Sequence, residues 1–149
     1  IMDTMLSDAI RKGTGTKALR SLKRDDLPGK TGTTNDADIW FSGFTPDLVA
    51  TAWAGFSDNS PVGNSEWGST TPLETWIDFM ESALPDQAKS KILPRPDGIV
   101  SVKIDPDTGL RTSPADPDGI FEIFRAERAP TASSTDQQID STSISQQIF

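Results

Sequence analysis

The residues with the clearest chemical use in this sequence stand together at Lys30-Thr31-Gly32-Thr33, inside DLPGKTGTTNDADIWFSGF at 26–44. Lys30 carries a positive charge that can face a serine or a substrate carboxylate. Thr31 and Thr33 add hydroxyl donors. Gly32 has no side chain, so a substrate backbone can come close. At a sheet edge, such a strand also offers unpaired N–H groups. One can stabilise a developing oxyanion, and others can bind a peptide as an added strand. This equipment suits acyl transfer, which also needs a nucleophile.

The composition restricts what that nucleophile can be. The chain has no cysteine, no histidine and no tyrosine. A cysteine nucleophile and a Ser-His-Asp triad are therefore excluded. So are zinc and copper sites built on His or Cys. Acid–base work falls to lysine or a carboxylate, with Ser or Thr. The net charge of −8 is uneven, because residues 1–34 hold seven Lys or Arg against four Asp or Glu. An acidic chain is a poor binder of phosphate backbones, so no nucleic-acid partner is expected. The basic opening reads as a solvated basic face or as a surface toward an anionic substrate.

Several elements must position the lysine strand. Ile1, Met2, Met5, Leu6, Ala9 and Ile10 make one apolar helical face over 1–12, with Gly13 after its end. The sequence opens inside this helix, as a piece of a longer protein would. Residues 13–24 read as a glycine-rich loop and a short basic segment. Residues 28–56 read as strands. LVATAWAGF at 48–56 looks like one buried on both faces, and Trp40, Trp53 and Trp76 read as core. TPLETWIDFMESALP predicts a helix with Thr71 as N-cap, Pro72 at the first position and Glu74 completing a capping box. Gly98–Ile104 and Gly119–Phe124 read as a small hairpin.

The expected organisation is 1–90 as an enzyme part, 91–128 as a linker with a β-hairpin extension, and 129–149 as a Ser/Thr/Gln-rich disordered tail. Hydrophobic residues are 34% of the 149, low for a self-sufficient domain of this length. No stretch approaches the roughly 20 apolar residues of a membrane span.

GKTGTTNDADIWFSGFTPDLVATAWAGFSDN resembles the KTG strand and the two following strands of a penicillin-binding transpeptidase domain. RKGTGTKA before it, PLETWIDFM after it and GIVSVKIDPDTGL further on are similar to class A, bifunctional penicillin-binding proteins of the Gram-negative type. The resemblance covers roughly residues 1–125. It implies an α/β (α+β) fold of the β-lactamase and transpeptidase kind, an antiparallel sheet flanked by helices, present here in part. It implies serine-type D,D-transpeptidation of peptidoglycan stem peptides, sensitivity to β-lactams and no cofactor or metal. Lys30 would be catalytic. Thr31, Gly32 and Thr33 would bind substrate, with the Thr33 N–H in the oxyanion hole. It further implies an upstream glycosyltransferase domain and membrane anchor at the periplasmic face of the inner membrane.

The family uses S-x-x-K, then S-x-N, then K-T-G. Here no lysine has a serine three residues before it; the nearest match is Thr14-Gly15-Thr16-Lys17. Ser57-Asp58-Asn59 spells S-x-N but follows the lysine motif, and reads as a polar turn. The nucleophile is thus expected outside this chain, in the N-terminal part of the same enzyme. Two other readings compete. GKT also ends the nucleotide-binding G-x-x-x-x-G-K-[ST] loop, but Arg24 stands where its first glycine belongs, and a strand pattern follows where a helix is needed. Alternatively, residues 91–149 form a non-catalytic cell-wall interaction module.

Overall fold

The computed structural model describes residues 1–84 and 93–131. The chain divides into two compact units, Ile1–Leu93 and Pro94–Phe149. The first holds a three-stranded antiparallel sheet, β1 (Gly29–Thr34), β2 (Asp38–Phe44) and β3 (Val49–Gly55), in the order β1-β2-β3. Among the described residues three α-helices accompany it, α1 (Met2–Arg11), α2 (Thr16–Leu22) and α3 (Thr71–Ala83). Asn35 and Asp36 turn β1 into β2 at positive φ, which short polar side chains tolerate. Thr45 closes the next turn, its N–H donating to Leu48 O at 2.7 Å and its Oγ1 accepting the Leu48 N–H at 3.1 Å.

The core lies on one face of the sheet. Strand alternation sends Ile39, Phe41 and Gly43 inward, and Trp40 and Ser42 outward. Phe41 meets Trp76 edge to face at 5.0 Å. Ile10, Ala18, Leu27, Leu73 and Met80 pack around that pair. The inward face of β3 is Ala50, Ala52 and Ala54, and these short side chains let α3 lie close. The Trp76 indole N–H donates to Ala50 O at 3.1 Å. The same ring explains Gly43, where a Cβ would stand 2.6 Å from Trp76 Cζ2.

Several expectations change. The 48–56 run is not buried on both faces, because Val49, Thr51 and Trp53 alternate onto an open one. Trp40 and Trp53 are not core. They face each other across β2 and β3 at 5.9 Å, 40% and 49% exposed. Trp53 Nε1–H donates to Asp38 Oδ1 at 2.7 Å, and Ser42 and Thr51 share a hydroxyl bond at 2.9 Å. On α1, Ser7 and Ile10 are buried while Met2 and Met5 are exposed, so the predicted stripe covers the core only at its C-terminal end. Residues 13–24 contain α2, a helix too short to stand on propensity and held by its fully buried Ala18. The capping box on α3 does not form. Thr70 is the N-cap, and Glu74 turns instead to an ion pair with Lys17.

In the second unit β4 (Ile99–Ile104) and β5 (Ile120–Arg125) pair antiparallel, the hairpin expected from the turn residues between them. Asp105 Oδ1 accepts the N–H groups of Asp107 and Thr108 at 2.8 and 3.2 Å, an Asx turn. Lys103 Nζ ties down the following loop by donating to the carbonyls of Pro114 and Asp116. Residues 85–92, at the junction of the expected enzyme part and linker, and 132–149, most of the expected tail, lie outside the described residues. No helix among the described residues is long and apolar enough to cross a membrane.

Candidate active site

The entry to β1 is fixed by burial. Arg24 and Asp26 form a two-pronged ion pair at 2.9 and 2.8 Å, with side chains 12% and 4% exposed. Leu27 beside it is in the core. Phe44 N–H then donates to Pro28 O at 3.0 Å. In an antiparallel ladder this sets the phase of every later residue. Lys30, Gly32 and Thr34 turn their backbone groups toward β2. Thr31 and Thr33 turn theirs to the outer edge of β1, which carries no partner strand among the described residues. The register from Gly29↔Gly43 to Thr34↔Asp38 is unbroken, so Gly32 marks no bulge.

The side chains gather at the same edge. Lys30 Nζ donates to Thr31 O at 2.9 Å and to Thr31 Oγ1 at 3.2 Å. Thr31 Oγ1 also lies 3.1 Å from Thr14 Oγ1. Thr33 Oγ1 accepts the Gly68 N–H at 3.4 Å. The result is an ammonium, several hydroxyls and outward-facing N–H groups along one strand edge. That combination can hold an anion and an extended peptide.

The loop before α3 supports this strand from the core side. Gly68 is buried against the β1–β2 ladder, where a Cβ would collide with Trp40 O and stand 2.8 Å from Gly32 O. Those are backbone atoms that cannot swing aside. Gly68→Ala is therefore expected to destabilise the unit by about 1–3 kcal/mol, seen as a lower urea midpoint. An unchanged midpoint would mean that the loop yields without disturbing β1. Glu66 anchors the same loop, accepting from the Thr70 and Thr71 hydroxyls at 2.7 and 2.9 Å. These two bonds, Thr70 first, hold its carboxyl below the usual carboxylate range.

The other sequence candidates separate clearly. Lys17 does not stand ready beside Thr14, because its ammonium is paired with Glu74. Ser57 follows β3, two strands from β1, beyond the end of the sheet where β1 finishes. Its neighbour Asp58 accepts from Ser60 N–H and Oγ–H, so Ser57-Asp58-Asn59 is the polar turn expected. Gly29-Lys30-Thr31 is extended strand, not a phosphate loop opening a helix, which removes the nucleotide reading. The basic opening is largely used internally. Arg24 pairs with Asp26, Lys17 with Glu74, and Arg11 donates to Asp25 O. Thr14 has a role that the sequence does not signal: there it is only the Thr of the nearest S-x-x-K match, and no spacing points to its contact with Thr31.

No protein-family model matches the chain. Penicillin-binding protein 1A of Pseudomonas aeruginosa is 47% identical over 131 residues, 87% of this chain and 16% of that protein. Penicillin-binding protein 1A of Vibrio cholerae is 39% identical over 162 residues, 96% of this chain and 19% of that protein. The crystal structure of penicillin-binding protein 1A from Haemophilus influenzae superposes with a TM-score of 0.79 at 38% identity, over 88% of this chain and 20% of that one. The chain thus spans less than a fifth of the length of the curated relatives it matches. Mixed helices and antiparallel sheet, a lysine strand at the sheet edge and these matches converge: over most of its length, this chain is homologous to penicillin-binding protein 1A of Gram-negative bacteria.

Proposed function

We propose that this chain forms one wall of the active site of a peptidoglycan D,D-transpeptidase, a serine enzyme that cross-links stem peptides and is acylated by β-lactams. The observation that carries this reading is the outer edge of β1, where Lys30 and Thr31 meet beside outward-facing backbone groups of Thr31 and Thr33. The nucleophile and the S-x-N serine belong to a part of the enzyme outside this chain. The serine oxygen attacks the carbonyl of a D-Ala-D-Ala terminus, and the terminal D-Ala leaves. An amine of a neighbouring stem peptide then takes the acyl group and returns the serine. Lys30 supplies positive charge to the substrate carboxylate and to proton transfer through the S-x-N serine. Thr31 and Thr33 donate hydroxyl hydrogens to that carboxylate. Gly32 leaves room for the peptide, and the Thr33 N–H faces the developing oxyanion. The same reading places the complete enzyme at the periplasmic face of the inner membrane, with a glycosyltransferase domain and an anchor upstream.

Intact-mass analysis after benzylpenicillin treatment tests the division of labour. One adduct on the complete protein and none on residues 1–149 alone is the expected result. A stoichiometric adduct on the isolated chain would place a nucleophile within it and overturn the reading, with Thr14 and Ser57 the first to substitute.

A further inference from the structure

We infer that Thr14 is a positioning residue of the carboxylate-binding edge: its hydroxyl fixes the direction in which Thr31 donates its own hydrogen. The inference rests on the proposed reading of Lys30 and Thr31 as carboxylate ligands. Among the described residues, Thr31 Oγ1 has two polar side-chain neighbours, Lys30 Nζ at 3.2 Å and Thr14 Oγ1 at 3.1 Å. An ammonium only donates, so Thr31 accepts from Lys30. A hydroxyl has one hydrogen and two acceptor positions. If Thr31 gives its hydrogen to Thr14, nothing of it is left for a ligand. If Thr14 gives its hydrogen to Thr31, both acceptor positions are filled and the Thr31 hydrogen must point elsewhere. A carboxylate arriving at the strand edge selects the second arrangement, because a bond to an anion is about twice as strong as one between neutral groups. Thr14, Thr31 and the carboxylate then form a donor chain in which each bond polarises the next.

The backbone around Thr14 is built to hold it there. The Gly15 N–H donates to Ala9 O at 3.0 Å, folding the loop back on the end of α1. A Cβ at Gly13 would stand 2.8 Å from Ala9 O, and one at Gly15 would strike Ile10 Cδ1. The glycines on either side of Thr14 thus bring its hydroxyl to β1 from a loop seventeen residues earlier. Thr14 is exposed, and its hydroxyl contacts the Thr31 hydroxyl.

The test uses the complete enzyme as wild type, Thr14→Val, Thr14→Ser and Lys30→Ala. Second-order acylation rates are measured with benzylpenicillin and with its methyl ester, which lacks the carboxylate. Thr14→Val is expected to lose about fivefold or more on benzylpenicillin and less than about twofold on the ester, the size of one hydrogen bond seen only by the anion. Thr14→Ser is expected to behave as wild type on both. An equal loss on both compounds would make Thr14 merely structural. No loss on either, or a serine variant as impaired as valine, would also overturn the inference. Lys30→Ala separates this from the reading beneath it. If that variant keeps the wild-type preference for the free acid, carboxylate binding at this edge is itself wrong. If Lys30→Ala loses the preference and Thr14→Val keeps it, only the role of Thr14 falls.

Discussion

Lys30→Ala in the complete enzyme is expected to slow acylation by benzylpenicillin at least about tenfold, ~1.4 kcal/mol of transition-state stabilisation. Lys30 is exposed on the edge strand, and its hydrogen bonds go to two neutral oxygens of Thr31. No carboxylate is among those partners, so the charge remains available to an incoming anion. Removing an exposed side chain with no packing role should leave stability within about 0.5 kcal/mol. A slow variant with an unchanged urea midpoint is therefore the expected pair of results. Lys30→Arg is a useful companion, because it keeps the charge but replaces a compact ammonium by a planar fork. An acylation rate equal to wild type in Lys30→Ala would remove this residue from the mechanism.

The largest effect on stability is expected at Trp76. Its ring fills the space made by Gly43 and the alanine face of β3, stacks edge-on against Phe41 and donates to Ala50 O. Trp76→Ala should cost about 3–5 kcal/mol for the cavity alone, and it leaves Ala50 O without its indole donor. Domains are typically stable by only about 5–15 kcal/mol, so much of the margin disappears. The measurement is the urea midpoint for loss of penicillin acylation, with the acylation rate of the folded fraction recorded alongside. The midpoint should fall steeply while that rate stays near wild type, because Trp76 packs behind the sheet and away from the β1 edge. An unchanged midpoint would show that α3 contributes little to holding the strands.

Much of this architecture is legible in the sequence, and the exceptions share a cause. Strands within 28–56, α3 and the β4–β5 hairpin are legible from apolar runs, from the turn residues between them and from a proline at a helix start. β3 misleads because alanine and tryptophan are both counted as apolar. Size decides between them: alanines face the crowded helix side and Trp53 the open one. α2 is hidden because it begins beside two glycines and owes its form to Ala18 and its neighbours meeting the core. Glu74 has the spacing of a capping box, but Lys17 is 57 residues earlier and competes for it more strongly. At the candidate site, the lysine strand is visible from its flanks. The meeting of Thr14 with Thr31 depends on how a helix end folds back onto a strand, and no local pattern encodes it.

The distribution of the four tryptophans makes the protein its own optical gauge. With no tyrosine in the chain, ultraviolet emission comes almost wholly from indoles. Trp76 is 1% exposed, while Trp40, Trp53 and Trp67 are between 40% and 51% exposed. The blue edge of the spectrum therefore belongs to Trp76 and reports the seating of α3 on the sheet. The red edge belongs to the other three, two of which share the open face beside Lys30 and Ser42. Quenchers dissolved in water reach those two directly. Anything that settles on that face, a ligand or another segment of polypeptide, announces itself as shielding at the red edge while the blue edge stays still.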